Sequence, residues 1–106
     1  MPKEIKPILK ELKKGLKQIY GAKFKKAYLF GSRARGDYTE DSDIDILIVL
    51  KDFKKYGAEL RRTSTLIGGL SLEYDVTVSV IFSREREWKH DTLPLLMNIR
   101  AESIAV

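Results

Sequence analysis

Two aspartates, Asp43 and Asp45, stand at the start of a β-branched, apolar run that ends at Leu50. Alternate residues of a strand share a face, so the two carboxylates would lie together with their Cα atoms roughly 6–7 Å apart. Such a pair can bind one or two Mg²⁺ ions, and two ions about 4 Å apart can bridge the attacking and leaving oxygens of a phosphoryl displacement. The spacing therefore favours metal-assisted phosphoryl transfer, although a solvated turn would also suit these residues considered alone.

A second group of residues, between Gly31 and Gly36, has the composition of a phosphate-binding turn. A glycine and a serine between a strand and a helical turn offer a phosphate backbone N–H groups, a hydroxyl and the positive end of a helix dipole. Gly31 would let the backbone approach the ligand closely, and Arg33 and Arg35 could contact further phosphate oxygens. The segment is not a Walker loop, because Asp37 rather than lysine follows Gly36.

A third carboxylate is expected on a later strand. Asp75 begins an alternating segment that ends at Ile81, and it would reach the same sheet edge as Asp43 and Asp45 if the two strands pair. Glu73 has the same strand parity as Asp75. The sequence therefore leaves both residues open as the third carboxylate.

The elements that must position these residues follow from hydrophobic periodicity and from helix start and stop signals. The order of elements predicts an α/β (α+β) fold in which a small mixed β-sheet is flanked by helices. The predicted elements are a helix over 5–20 that stops at Gly21, strands over 26–30, 44–50 and 75–81, a helix over 53–70, and two short helices over 83–88 and 94–102.

The composition is that of one small globular unit, so residues 1–106 are expected to form a single domain. The chain has no cysteine, no apolar run near the ~20 residues of a membrane span, and no signal peptide, so a cytoplasmic location is expected. Residues 1–26 hold nine lysines against two glutamates. This basic end suggests an anionic partner or, as the simpler alternative, a solvated helix face.

The motif that joins these observations is Gly31-Ser32, ten intervening residues and then Asp43-Ile44-Asp45. It resembles the GSx10DxD signature of the DNA polymerase β-like nucleotidyltransferase superfamily. The fuller string resembles the minimal branch of that superfamily, the MNT-domain proteins that are encoded beside HEPN-domain toxins. Residues 98–102 are similar to the usual ending of that branch.

The resemblance implies a polymerase β-like nucleotidyltransferase fold and the transfer of AMP from ATP to a hydroxyl, with release of pyrophosphate. It implies that two Mg²⁺ ions are held by three carboxylates, one of which helps to deprotonate the acceptor. In that reading the metal ligands and catalytic residues are Asp43, Asp45 and Asp75, and the nucleotide-binding residues are Gly31, Ser32, Arg33 and Arg35.

In the minimal branch the acceptor is typically a tyrosine of the HEPN-type toxin, so the resemblance implies that this chain is the antitoxin of such a pair. Two alternatives stay open. A non-catalytic antitoxin would neutralise the toxin by occlusion, and a different transferase would modify RNA or a small molecule.

Overall fold

The computed structural model describes residues 5–90 and 93–106. Helices and strands alternate along the chain as far as residue 90, as the sequence predicts. The helices are α1 (Lys6–Tyr20), α2 (Ser32–Arg35), α3 (Tyr56–Tyr74), α4 (Glu85–His90) and α5 (Pro94–Glu102). The strands are β1 (Phe24–Phe30), β2 (Ile44–Leu50), β3 (Val78–Arg84) and β4 (Ile104–Ala105).

The four strands form one mixed sheet in the order β3-β2-β1-β4. Strand β1 runs antiparallel to β2 and to β4, whereas β2 and β3 are parallel. A parallel pair needs a crossover connection, and α3 supplies it. In this register Asp45 lies between Phe30 of β1 and Ser79 of β3.

Helices cover both faces of the sheet. Alternate residues of β2, from Ile44 to Leu50, are buried beneath α1 and α3 together with Leu12 of α1. The intervening residues of β2 face α4 and α5, where Leu47 packs with Trp88 and Ile99. Because side chains alternate along a strand, Asp45 belongs to the α4–α5 face. The predicted small mixed sheet flanked by helices is thereby confirmed.

Several elements were predicted with accurate bounds. Helix α1 ends at Tyr20 because Gly21, with φ 56°, turns the chain, and α5 begins at Pro94 and ends at Glu102. Strand β2 has the predicted bounds. The helix predicted from residue 83 begins two residues later, because β3 continues to Arg84.

The predicted position of the third strand was wrong. Helix α3 continues to Tyr74, and Asp75 ends it in the left-handed conformation, with φ 51° and ψ 55°. Aspartate adopts this conformation more readily than most residues, so it can close a helix where extended structure was expected. Strand β3 consequently begins at Val78, and neither Asp75 nor Glu73 lies on a strand.

Within residues 5–90 and 93–106, we find no helix whose length and hydropathy would suit a membrane span.

Candidate active site

The predicted phosphate-binding turn and the predicted metal pair meet at Gly31. Strand β1 ends at Phe30, directly opposite Asp45, and Gly31 then turns the chain with φ 74° and ψ −158°. A Cβ atom at Gly31 would overlap the Asp45 carboxylate. Only glycine accommodates both this backbone conformation and this close approach. The two motifs found in the sequence therefore form a single site.

The turn after Gly31 is short and tightly hydrogen-bonded. The N–H groups of Ala34 and Arg35 both donate to the Gly31 carbonyl oxygen at 3.1 Å, and that of Gly36 donates to Ser32 at 2.9 Å. Over the described ranges, the N–H groups of Ser32 and Arg33 have no backbone acceptor. These two N–H groups and the partly exposed Ser32 are the groups that the sequence assigns to a phosphate.

Arg33 makes its side-chain contacts within the protein. Its side chain is buried, and its Nε and Nη2 donate to the carbonyl oxygen of Ser42 at 3.3 and 3.0 Å. The guanidinium also lies 5.1 Å from the ring centroid of Tyr38. These contacts hold the loop that leads into Asp43. The expected phosphate contact of Arg33 stays a prediction, and it would require the guanidinium to bind a phosphate in addition to these acceptors.

The two aspartates differ in their surroundings. Asp43 is exposed and immediately precedes β2, whereas Asp45 is partly buried within it. Burial raises the pKa of Asp45, and the negative charge of Asp43 raises it further, while Arg35 has the opposite effect. Among the described residues no group donates a hydrogen bond to the Asp45 side chain. Two like-charged carboxylates without hydrogen-bond donors match the oxygen ligands that Mg²⁺ prefers.

No group of three acidic or histidine side chains within residues 5–90 and 93–106 is arranged to hold a metal ion. The charges that act on Asp45 are those of Asp43, Arg35 and Glu102, and Asp75 is not among them. Asp75 instead lines a depression of about 570 Å³ that Asp41 also lines. The structure therefore brings Asp43 and Asp45 together and leaves Asp75 outside the pair.

Glu102, the last residue of α5, is a site residue that the sequence reasoning missed. Its Oε1 accepts the N–H of Gly31 at 3.2 Å, and its Oε2 pairs with Nη1 of Arg35 at 3.1 Å. The contact spans 71 positions of the chain, beyond the reach of any periodicity argument. The signal in the sequence was the resemblance of residues 98–102 to the ending of the MNT branch, which assigned no role to Glu102.

Comparisons with known proteins identify the family of this chain. The nucleotidyltransferase domain family matches residues 9–104. Two candidate protein adenylyltransferases of Methanocaldococcus jannaschii are similar to this chain. One is 39% identical over 82 residues, which is 77% of this chain and 82% of the relative. The other is 41% identical over 80 residues, which is 76% of this chain and 80% of the relative.

Solved structures share the fold. A candidate nucleotidyltransferase from Sulfolobus solfataricus superposes with a TM-score of 0.62 at 28% identity, over 93% of this chain and 78% of its own. A chain of a toxin–antitoxin complex with AMP-PNP gives 0.62 at 21% identity, over 89% of this chain and 68% of its own. A chain of the Shewanella oneidensis complex between a tri-AMPylated HEPN toxin and an MNT antitoxin gives 0.52 at 19% identity, over 92% and 69%.

The two toxin–antitoxin structures, at these identities, support the fold alone. The family match covers nearly the whole chain, and the contact between the Gly31 turn and Asp45 lies within it. The chain belongs to the nucleotidyltransferase domain family.

Proposed function

We propose that this nucleotidyltransferase transfers AMP from ATP, in a magnesium-dependent reaction, to a tyrosine hydroxyl of a HEPN-type toxin, and that it acts as the antitoxin of that toxin. The observation that carries the proposal is the direct approach of the Gly31 backbone to the Asp45 carboxylate. A triphosphate on the turn would lie beside the carboxylates that hold its cation.

The donor nucleotide would be held by the turn and by one arginine. The Ser32 hydroxyl and the N–H groups of Ser32 and Arg33 can donate to phosphate oxygens. Arg35 is the arginine suited to a phosphate, because its side chain is 47% exposed and lies next to Gly31 through their shared partner Glu102. Arg33 keeps the loop before Asp43 in place through its contacts with Ser42.

In the reaction, the acceptor oxygen forms a bond to the α-phosphorus, and the bond from that phosphorus to the bridging oxygen of pyrophosphate breaks. The hydroxyl proton leaves to a carboxylate or to solvent. Magnesium bound by Asp43 and Asp45 would neutralise charge on the phosphates and polarise the reacting phosphoryl group. The protein's own contribution is to fix the two carboxylates and the turn so that the donor triphosphate is held in one orientation.

A partner protein is the acceptor that fits this site best. The turn and the sheet edge bind one side of a nucleotide, and the elements around them are short, with α2 spanning only Ser32–Arg35. Alignment of an acceptor therefore falls to the molecule that carries it. The names of the M. jannaschii relatives and of the AMPylated HEPN toxin complex support a protein acceptor of this class.

The proposal is tested by intact-mass measurement of the partner. The chain is co-expressed with the protein encoded beside it, and the complex is incubated with ATP and MgCl₂. The partner should gain one or more AMP units on tyrosine, and it should gain none when the chain carries Asp43→Asn. An unmodified partner that is nevertheless fully inhibited would establish occlusion instead. Labelling of RNA with the partner untouched would establish the RNA alternative.

A further inference from the structure

The contacts of Glu102 coincide with the groups that the proposed function assigns to the nucleotide. One carboxylate oxygen accepts the Gly31 N–H, and the other pairs with Arg35. Both donors belong to the turn that would hold the triphosphate. A carboxylate and a phosphate present the same kind of oxygen acceptor to an N–H group and to a guanidinium.

We propose that Glu102 sets the nucleotide affinity of the site by occupying the Gly31 N–H and the Arg35 guanidinium, so that a phosphate must displace its carboxylate in order to bind. This inference rests on the proposed function, because it concerns the same site. It assigns to Glu102 a role in setting phosphate affinity that is distinct from metal binding.

The position of Glu102 permits this displacement. The residue ends α5, and its backbone is fixed from the next residue, where the Ser103 N–H donates to Ile99 at 2.8 Å. Its side chain keeps a quarter of its surface exposed, so rotation towards solvent needs no movement of α5. The helix can therefore stay in place while the carboxylate leaves the turn.

Charge gives the displacement its direction. The carboxylate of Glu102 adds a third negative charge near Asp45 and Asp43, and all three oppose an incoming triphosphate. Arg35 is the cation that offsets them, but it pairs with Glu102 and with the exposed Asp37. A phosphate that takes over Arg35 gains a cation and moves a carboxylate away from its own oxygens.

Substitution of Glu102 should therefore tighten nucleotide binding. Glu102→Gln keeps the side-chain length. It removes the negative charge and replaces one of the two carboxylate oxygens, so the ion pair with Arg35 is lost. We expect its affinity for ATP with MgCl₂ to rise about two- to fivefold, the modest gain typical of a partly exposed ion pair. Inorganic tripolyphosphate should gain by the same factor, because the competition concerns phosphate alone. Calorimetric titration of the full chain measures both affinities.

Asp37→Asn is the matched control. It removes the same charge from the same arginine, to which Asp37 pairs at 3.4 Å, but Asp37 does not contact the Gly31 N–H. Its affinity for ATP should change by less than about twofold. Equal gains in the two variants would reduce the role of Glu102 to unspecific charge and would overturn the proposal.

The remaining outcomes separate the inference from the proposed function. Weaker binding by Glu102→Gln, with wild-type protein binding ATP normally, would make Glu102 a support of the turn and would overturn the inference alone. Absence of ATP binding in wild type and variants alike would overturn both. If Glu102→Gln melts much earlier than wild type, Glu102→Asp replaces it, because its shorter carboxylate loses the Gly31 contact without losing charge.

Discussion

A carboxylate lies at least partly buried at each end of the sheet. The two carboxylates differ in their hydrogen-bond partners and in the charges beside them. At the end of β2 near Leu50, Glu59 of α3 is buried, accepts the Tyr20 hydroxyl at 2.7 Å and pairs with Nε of Arg62 at 3.1 Å. At the other end, Asp45 is partly buried beside the like charge of Asp43, and within the described part of the chain it accepts no hydrogen bond.

The difference shows which feature distinguishes the candidate active site. The cavity at the Glu59 end measures about 500 Å³ and is lined by Tyr20, Phe53 and Arg62 among others. A cavity of this size could hold a ligand, but the Glu59 carboxylate that lines it already accepts hydrogen bonds from Tyr20 and Arg62. Two like charges against a glycine turn, with no hydrogen-bond donor to Asp45 among the described residues, are the feature that indicates a ligand.

The most stringent test of this difference between the two ends is to neutralise the carboxylates of the candidate active site. Replacing Asp43 and Asp45 by asparagine should lower the rate of AMP transfer at least about 100-fold, because the stabilisation supplied by the metal is worth several kcal/mol. The free energy of unfolding should stay equal or rise, since the substitution removes repulsion and a partly buried charge. Radiolabel transfer and urea unfolding measure the two effects.

Glu59→Gln is the control for that variant, because it neutralises the carboxylate at the opposite end of the sheet. It should lower the free energy of unfolding by about 1–2 kcal/mol, because it weakens charge-assisted bonds to Tyr20 and to the exposed Arg62. Its rate of AMP transfer should match that of wild type. Comparable losses of activity in both variants would mean that the two ends are not functionally distinct.

A second test compares two glycines of the turn that both have positive φ. Gly36→Ala should cost about 1–2 kcal/mol of stability from backbone strain alone, because nothing lies near its missing Cβ. Gly31, with ψ −158°, lies in a backbone region that is essentially restricted to glycine, and Gly31→Ala also overlaps the Asp45 carboxylate, so it should cost about 1–3 kcal/mol more.

Urea unfolding of single and double variants measures this coupling. In a background of Asp45→Ala the part of the extra cost at Gly31 that arises from the overlap should disappear, because the overlapping carboxylate is gone. Equal costs for the two glycines in the wild-type background would show that Gly31 and Asp45 do not approach each other as described.

The stability contributed by the two ends of the sheet should also change at different pH, at acidic pH for Asp45 and at alkaline pH for Tyr20. The pKa of Asp45 is raised above its ordinary 3.8, so the folded state holds that proton longer, and stability should fall as pH rises from about 3.8 through the folded pKa. The pKa of Tyr20 is raised above its ordinary 10.0 by burial and by Glu59, so stability should fall again above pH 10. Asp45→Asn should remove the first loss, and Tyr20→Phe should remove the second, in unfolding measured across pH.

Local signals in the sequence were sufficient for much of this fold. The periodicity before Gly21, the apolar run after Asp45 and Pro94 at the start of α5 each predicted an element correctly. The third strand was misplaced because the alternating pattern of apolar residues begins at Asp75. Only the left-handed backbone of Asp75 shows that α3 ends there.

Part of the candidate site could also be predicted from local signals in the sequence. Gly31, Ser32, Asp43 and Asp45 are close in sequence, so their spacing carried the prediction. Glu102 could not be placed in this way, because its contact with Gly31 depends on how α5 packs against the sheet. Contacts of this kind come from tertiary packing, which leaves no period in the sequence.

The most direct test of the central claim is a calorimetric titration of the protein with ATP, in MgCl₂ and in EDTA. If Asp43 and Asp45 hold the cation of a nucleotide bound at the Gly31 turn, wild type should bind ATP at least about tenfold more tightly with magnesium. The Asp43→Asn, Asp45→Asn double variant should show no such difference. A wild-type affinity that ignores magnesium, or a double variant that keeps the full magnesium dependence, would contradict the assignment.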